Sequence, residues 1–316
     1  MKGSAPVMNK IPIIVICGAT ASGKTSLSID LAKKYDTKIV SCDSMQIYKD
    51  MDIGTAKPSV EEMDNIEHFM IDIIDSSVNF SVADFVGIAH DKIKSIYEEK
   101  KVPVLVGGTG LYINSLVNDV DFLEEKEDKK IRRELEEIEK QKGIDYLVEM
   151  LKEFDPVSAE KIHKNNKRRI IRAIEFYKLM NIPISVHNEE TKKKISRYNP
   201  CMMAIKWDMQ KLYERIEKRV DIMIQKGLLD EVSLLLDKGI KKDTTAMRGI
   251  GYKEIIKHLE GEISLDEAID EIKKNTRHYA KRQMTWFRKD ERINWIDYDC
   301  DVFSEAVKII NNWGGV

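Results

Sequence analysis

The sequence predicts an α/β fold with a P-loop parallel-sheet core, a helical insertion domain and C-terminal helices. A continuous apolar run, Ile11–Cys17, leads directly into a glycine-containing loop. Short apolar runs then alternate with helical patterns, which is typical of βαβ units in a parallel sheet. From about Asp119 the chain turns charged and helical, and an apolar strand pattern returns only after Pro200. We therefore expect one sheet domain that a helical segment interrupts.

The individual elements follow from hydrophobic spacing. Helical spacing is seen over Ser26–Lys34 and over Phe80–Lys100, and three or four helices are expected between the last two strands. The predicted strands are Ile11–Cys17, Lys38–Ser41, His68–Ile74, Pro103–Val106, Met202–Trp207 and Ile293–Ile296. The predicted divisions are 1–118 for the first part of the core, 119–200 for the insertion and 201–316 for the return to the core. Met1–Lys10 is interpreted as a disordered leader.

Composition narrows the class of protein. The 316 residues are 42% apolar, enough for a packed core, and the longest apolar run is too short to span a bilayer. The four cysteines share no short spacing, which argues against a zinc site and a disulfide framework. No secretion leader is evident. We expect a cytoplasmic protein, and the net charge of −2 gives no global sign of nucleic-acid binding.

The loop after the first strand matches the phosphate-binding pattern G-x-x-x-x-G-K-[ST]. Its residues are Gly18, Ala19, Thr20, Ala21, Ser22, Gly23, Lys24 and Thr25. Backbone N–H groups and the helix N-terminus bind phosphate oxygens in such loops, Lys24 supplies a charge, and the Thr25 hydroxyl can reach Mg²⁺. A chance match in a chain of this length is roughly a one-in-a-hundred event. The substrate is therefore expected to carry a diphosphate or polyphosphate.

A P-loop alone does not name the reaction. Most P-loop proteins act on the terminal phosphate of a nucleotide and need an acidic magnesium ligand at the end of a core strand. Asp72, after Phe69–Ile71, is one candidate for that ligand, whereas the fourth strand ends in glycines. No base-reading motif is evident. The hypothesis of a kinase or NTPase is therefore weakened but remains open.

Two further loops follow strands of the predicted sheet. Asp43 follows the second strand, and Thr109 lies in the glycine run after the fourth. Loops at the carboxyl ends of parallel strands share one edge, so both residues should converge on the bound diphosphate. Taken alone, a helix N-cap is the commoner role for Asp43, and a tight turn is the alternative for the glycine run.

Together these segments resemble the tRNA dimethylallyltransferases of the bacterial type. The resemblance spans nearly the whole chain in the family's order. It is carried by Gly18–Thr25, Asp43–Gln46, Gly54–Pro58, Gly107–Tyr112, Lys167–Arg169, Arg248–Tyr252 and Ala280–Phe287. Ala19 departs from the family's usual proline, with little expected consequence. The C-terminal zinc finger of eukaryotic members is absent from this sequence.

The resemblance implies transfer of a dimethylallyl group from its diphosphate to the exocyclic amine of the adenine 3′ of the anticodon in tRNA. Asp43 matches the general base, Thr109 a residue that bonds near the reacting amine or phosphate, and Gln46 one that reads the tRNA. Mg²⁺ is the implied cofactor, with Thr25 as its ligand. The adenine must leave the anticodon-loop stack, so base flipping is expected.

A basic segment supplies the expected tRNA surface. Lys161–Arg172 contains six Lys/Arg and no acid, and its apolar residues give the helix an opposite, buried side. The predicted tRNA-binding residues are Asp43, Ser44, Met45, Gln46, Thr109, Arg132, Lys167, Arg168, Arg169, Ile170 and Ile171. A second basic face, Lys273–Arg288, has an open role, and its Tyr279 is assigned to the core. Lys126–Lys142 mixes both charge signs and is expected to be solvated.

Two rival functions remain beside the kinase. An adenylate isopentenyltransferase would perform the same chemistry on a free nucleotide, but would need no large basic insertion. A non-catalytic RNA-binding module would leave Lys24 and Asp43 unexplained. The expected partners are a tRNA anticodon stem-loop and dimethylallyl diphosphate, with no membrane, and a monomer is expected because one anticodon arm needs one cleft.

Overall fold

The computed structural model describes residues 10–120, 122 and 129–316. Two compact units are present. The sheet unit comprises the chain up to Val117 together with Ser196–Val316, and the helical unit comprises Asn118–Ile195. Most of the predicted leader and the start of the mixed-charge segment, residues 1–9 and 126–128, lie outside the described residues.

The sheet of the first unit is entirely parallel. Across the described chain it contains six strands in the order β3-β2-β4-β1-β5-β6. They are β1 (Ile11–Cys17), β2 (Ile39–Ser41), β3 (His68–Phe69), β4 (Val104–Gly107), β5 (Tyr198–Lys206) and β6 (Ile293–Asp297). At the end of β1, Cys17 lies in register with Gly107 on one side and Ala204 on the other. The loops after β2, β4 and β1 therefore lie next to one another at a single edge.

Four helices of the sheet unit precede the helical unit in the described chain. They are α1 (Lys24–Lys34), α2 (Val60–Met63), α3 (Val82–Glu98) and α4 (Gly110–Val117). Helix α3 begins with a capping box, in which Ser81 and Asp84 each accept the other's backbone N–H. The apolar run of β1 is buried because helices cover both faces of the sheet, which is why its sequence does not alternate.

The helical unit has its own apolar core. Its described helices are α5 (Lys129–Lys142), α6 (Ile144–Phe154), α7 (Pro156–Lys161), α8 (Lys167–Met180) and α9 (Ile184–Lys193). Leu135, Leu147, Leu151 and Ile174 are buried among them. Asn166 caps α8 by accepting the Arg169 N–H at 3.4 Å. The apolar side predicted for the basic helix is thus confirmed.

The chain then returns to the sheet unit. In the described chain four helices lie between β5 and β6, as predicted, and one follows. They are α10 (Met209–Gln225), α11 (Leu228–Asp237), α12 (Tyr252–Leu259), α13 (Leu265–Phe287) and α14 (Val302–Trp313). A second core cluster joins α10–α13 to the loops after β2. No described helix is both long and apolar enough to cross a membrane.

The predicted strands are confirmed in number and order, and two have bounds that differ by more than one residue. The strand predicted over His68–Ile74 ends at Phe69, because Met70 and Asp72 adopt positive φ values of 66° and 54°. The fifth strand begins at Tyr198, so the predicted insertion boundary at residue 200 falls inside β5. Pro200 hid this start, since proline is unusual within a central strand.

Candidate active site

The phosphate loop connects the central strand β1 to α1. Gly23 is the N-cap of α1 with φ 90°, in the left-handed region that favours glycine. The first turn of α1 contains no acidic residue. No acidic side chain of α1 therefore lies beside the free N–H groups at its start, so this end of the helix can bind an anion.

Side chains from distant parts of the sequence hold this loop in place. The Thr20 N–H donates to Gln283 Oε1 at 2.9 Å. Trp207 Nε1 donates to the Ser22 carbonyl at 3.0 Å, and Arg215 Nε donates to the Ala21 carbonyl at 2.9 Å. These partners come from α13, the end of β5 and α10. The loop is therefore held in place by side chains of the protein itself.

Two cations converge on the loop. Lys24 Nζ donates to the Ala19 carbonyl at 3.1 Å, and Arg219 donates to the Thr20 hydroxyl at 3.1 Å. Burial, with a smaller effect of Arg219, lowers the pKa of Lys24 to about 8. Burial also lowers the pKa of Arg219. Charged groups that are costly to bury favour an anionic ligand that would neutralise them.

The loop also contains an unused polar group. The Ser22 hydroxyl is buried and has no hydrogen-bond partner within the described structure. A buried hydroxyl is usually paired, so an orphan of this kind indicates a missing partner. Together with the two cations, it suits a ligand rich in acceptor oxygens, such as a diphosphate.

Carboxylates are scarce around the loop. Across the described residues no group of three or more His, Cys, Asp or Glu side chains could hold a metal ion. The Thr25 hydroxyl, beside Lys24 at the start of α1, has no hydrogen-bond partner among the described residues. Mg²⁺ often keeps several waters and binds phosphate oxygens with few protein ligands. The residues present therefore fit a magnesium ion carried by a diphosphate, with Thr25 as a protein ligand.

The Asp72 carboxylate does not lie beside the phosphate loop. Its carboxylate is ion-paired with Lys57. It follows the edge strand β3, which is separated from β1 by β2 and β4. The hypothesis that Asp72 serves as the acidic magnesium ligand of a kinase or NTPase is therefore wrong.

The acceptor loop, Asp43–Gln46, follows β2. Asp43 Oδ1 accepts the Met45 N–H at 2.9 Å and the Gln46 N–H at 3.4 Å. No helix directly follows Asp43, since the next one is α2, so the helix N-cap considered for it is wrong, and its carboxylate caps a turn instead. Its second oxygen, Oδ2, has no hydrogen-bond partner among the described residues. One carboxylate can therefore both hold the turn and accept a proton.

Thr109 contacts the acceptor loop from the turn that follows the neighbouring strand β4. Its hydroxyl accepts the Ser44 N–H at 3.0 Å and lies 3.2 Å from the Ser44 hydroxyl. Tyr279 of α13 lies near the side chains of Thr109 and Gln283, which act to lower its pKa. Burial first, and the charge of Asp43 second, raise the pKa of Tyr279 to about 12. Asp43 and Thr109 thus lie together, as the sequence predicts.

The glycine run after β4 allows the two loops to meet. Gln283 Nε2 donates to the Gly108 carbonyl at 2.9 Å. A Cβ at Gly108 would lie 2.2 Å from that nitrogen and 3.3 Å from the Gly18 carbonyl oxygen. A side chain at 108 would therefore displace the Gln283 amide, which bridges the phosphate loop to the loop that carries Thr109.

Comparison with known proteins identifies the family. Residues 46–290 match the family model described as IPP transferase, which is more than half of the chain. The chain belongs to the IPP transferase family.

Relatives of this IPP transferase match it over nearly its whole length. A tRNA dimethylallyltransferase of Acetivibrio thermocellus is 52% identical over 300 residues, 95% of each chain. A tRNA isopentenylpyrophosphate transferase structure from Bacillus halodurans is 42% identical, covers 97% of this chain and 96% of that one, and has a TM-score of 0.72. A eukaryotic dimethylallyltransferase described as acting on tRNA is 28% identical, with a TM-score of 0.85, and covers 96% and 79%. These matches support prenyl transfer over the kinase or NTPase.

Several residues of the IPP transferase site were missed in the sequence. Arg215 and Arg219 lie four positions apart after β5, a spacing that places both on one helix face, but nothing local links them to the phosphate loop. Gln283 was recognised only as part of a motif. Tyr279 was assigned to the core, and it also lies near Thr109 of the site. Only tertiary packing identifies these roles.

The helical unit presents the predicted basic residues unequally. Arg168 and Arg169 are exposed, with no carboxylate partner in the described chain. Lys167 is ion-paired with Glu139. Ile170 and Ile171 are 1% and 6% exposed, so the prediction that their side chains bind tRNA is wrong.

Arg132 also forms ion pairs within the helical unit. Its guanidinium lies 3.7 Å from Glu136 and 3.9 Å from Glu175. Glu175 is fully buried, and one of its oxygens has no hydrogen-bond partner among the described residues. Contact between Arg132 and tRNA stays a prediction, and it would compete with these ion pairs.

The exposed face of α13 divides into a neutralised half and a free half. Lys273 pairs with Asp221 at 2.6 Å, and Arg277 pairs with Glu217. Towards the end of α13 and just after it, no carboxylate of the described chain pairs with Lys281, Arg282 or Lys289. A cavity of about 490 Å³ is lined here by His278, Lys281, Arg282, Thr285, Trp286 and Lys289. This half remains available for an anion.

Proposed function

We propose that this IPP transferase moves the dimethylallyl group of dimethylallyl diphosphate to the exocyclic amine of the adenine immediately 3′ of the anticodon in tRNA, releasing pyrophosphate. The observation that carries this proposal is the meeting of two unlike loops. A cationic phosphate loop without an acidic cluster in the described structure adjoins a carboxylate, Asp43, with one unbound oxygen. This arrangement suits departure of an anion and removal of a proton.

The phosphate loop would bind the donor. Lys24, Arg219 and the Ser22 hydroxyl would bind diphosphate oxygens and stabilise the charge that develops as the allylic C–O bond breaks. Magnesium, held through Thr25 and the diphosphate, would neutralise further charge. Because the supports of the loop are already in place, little reorganisation is required when pyrophosphate forms.

The acceptor loop would activate the adenine. The amine is a weak nucleophile because its lone pair is delocalised into the ring, so removal of a proton by Asp43 Oδ2 assists bond formation. Thr109, held by Ser44, would orient the amine or the diphosphate. The adenine would leave the anticodon-loop stack to reach this carboxylate.

The tRNA backbone would bind exposed cations. Arg168 and Arg169 on the helical unit, and the free half of α13, are the described surfaces that suit phosphate groups. We further propose that the enzyme acts in the cytoplasm as a monomer. The buried, unpaired Cys17, Cys42 and Cys201 are compatible with a reducing compartment.

Incubation with labelled dimethylallyl diphosphate and unmodified tRNA tests the proposal. Label should appear in tRNA and depend on magnesium. Label transferred to free adenylate instead would establish an adenylate isopentenyltransferase. ATP hydrolysis without tRNA would establish an NTPase, and tRNA binding without transfer would reduce the protein to an RNA-binding module.

A further inference from the structure

Glu231 of α11 fills a ring of hydrogen-bond donors. Its Oε2 accepts the Asp52 N–H at 2.9 Å and the Ile53 N–H at 2.7 Å. Its Oε1 accepts the Gly54 N–H at 3.0 Å and the Tyr252 hydroxyl at 2.6 Å. Three successive backbone N–H groups form an anion-binding concavity, and here the anion is supplied by the protein itself.

The loop that Glu231 holds continues directly to the side chain of Gln46. Gln46 Nε2 donates to the Thr55 carbonyl at 3.4 Å and to the Ala56 carbonyl at 3.1 Å. The loop cannot shift independently at Gly54, where a Cβ would lie 2.5 Å from the Tyr252 ring. A displacement at 52–54 would therefore reach the two carbonyls that bind Gln46.

These carbonyls decide which end of the Gln46 amide is available. Both N–H hydrogens of the amide are used, since each donates to a carbonyl. Gln46 Oε1 accepts the Ser41 hydroxyl at 3.3 Å, which leaves it one further lone pair. Gln46 thus offers a tRNA base an acceptor and no donor. An acceptor binds an exocyclic amine and repels a carbonyl.

We infer that Glu231 is a positioning residue, which fixes Gln46 through residues 52–56 as a hydrogen-bond acceptor and so sets a preference for an amino-bearing tRNA base. This inference rests on the proposed function. Gly54–Pro58 is recognisable in the sequence only as a motif, and this chain of contacts gives it a role in recognition.

The test compares Glu231→Gln with the wild type. Glutamine keeps the size and one acceptor oxygen, but places an NH₂ group against backbone N–H donors. With anticodon stem-loops as substrate we expect kcat/KM for RNA to fall about ten-fold, while KM for dimethylallyl diphosphate changes less than about two-fold. Asp237→Asn, an exposed charge loss on the same helix, should behave as the wild type.

A double-mutant cycle separates positioning from general support of the fold. In a Gln46→Ala background, Glu231→Gln should lower kcat/KM by less than about two-fold. Stem-loops in which one adenine beside the target is replaced by inosine exchange an amine for a carbonyl. The wild type should discriminate against one of them, and Glu231→Gln should discriminate less.

A second variant, Tyr252→Phe, keeps the test informative if Glu231→Gln folds poorly. Tyr252→Phe removes one of the four hydrogen bonds and should reproduce a smaller loss, about three-fold, with the same dependence on Gln46. Equal losses in the presence and absence of Gln46, or normal kinetics of both variants, would overturn the inference. If the wild type itself transfers no label to RNA, the proposed function fails instead.

Discussion

The phosphate loop and the acceptor loop lie at the same sheet edge but are held in different ways. The phosphate loop is bound by Gln283, Trp207 and Arg215, each more than 180 positions away. The acceptor loop is held by residues closer in sequence, which are its own Asp43, Thr109 after the neighbouring strand β4, and Ala56. One loop is surrounded by cations, and the other presents a carboxylate.

This difference matches two chemical tasks. A leaving pyrophosphate needs fixed positive groups that are in place before the bond breaks. A proton acceptor needs one unoccupied oxygen that an incoming base can reach. Substitutions in the phosphate loop should therefore act through the donor, and substitutions in the acceptor loop through turnover or RNA recognition.

The largest effect is expected for Asp43→Asn. Asparagine keeps the Oδ1 cap to Met45 and Gln46 but cannot take a proton. Single-turnover transfer should fall about a hundred- to ten-thousand-fold while both substrates bind nearly normally. Near-normal turnover would reduce Asp43 to a cap, and rescue by excess magnesium would make it a metal ligand.

Lys24→Ala and Thr25→Ala should act on the other loop. Removal of a charge-assisted hydrogen bond costs roughly 1.5 to 3 kcal/mol, so donor affinity or transfer should fall about ten- to two-hundred-fold. Binding of tRNA, measured by filter retention, should stay within about two-fold of the wild type. A selective loss of tRNA affinity would break the division between the two loops.

Gln283→Leu tests whether distant support matters. The change leaves the Thr20 N–H and the Gly108 carbonyl without their partner, at about 1 to 3 kcal/mol for a buried unpaired group. We expect lower thermal stability and a higher KM for dimethylallyl diphosphate. Gln225→Leu, on the exposed end of α10, is the matched control. Unchanged donor kinetics in Gln283→Leu would show that the bridge is dispensable.

The pH dependence sharpens the assignment of Lys24, whose pKa is lowered to about 8. Pyrophosphate affinity should decrease as pH rises through this value, because the lysine loses its charge. Stability should change in the opposite direction. Above pH 8 and below the ordinary pKa of 10.5, the unfolded chain binds the proton more tightly, so stability rises with pH. Titration calorimetry and thermal unfolding of the wild type and Lys24→Met would measure both trends.

The smallest effect on tRNA binding is expected for single substitutions on the helical unit. Removing one cation that binds a tRNA phosphate should flatten the slope of log affinity against log salt by about 0.7 to 0.9. Arg168→Ala and Arg169→Ala should each do so, whereas Lys167→Ala should do less because Lys167 is paired with Glu139. Lys178→Ala, near the other end of α8, serves as control. Equal slopes for all variants would show that these cations are only solvated and bind no tRNA phosphate.

The difference between the two loops also explains what the sequence could predict. The phosphate loop was recognisable because its glycines, lysine and preceding apolar strand are contiguous. Asp43 and Thr109 could be placed because parallel strands end at a common edge. Arg219, Gln283 and Glu231 could not, since helices bring them to the loops through packing that no local pattern records. The position of Tyr279 near Thr109 could not be predicted either, because one helix side carries both core and site residues.

We propose that this P-loop holds a departing pyrophosphate and transfers no phosphoryl group. Product analysis of one reaction containing only enzyme, Mg²⁺, dimethylallyl diphosphate and unmodified tRNA tests it most directly. We expect intact pyrophosphate in equal amount to prenylated adenosine, with no orthophosphate and no requirement for ATP. Orthophosphate as the product, or prenylation only when ATP is added, would contradict the claim.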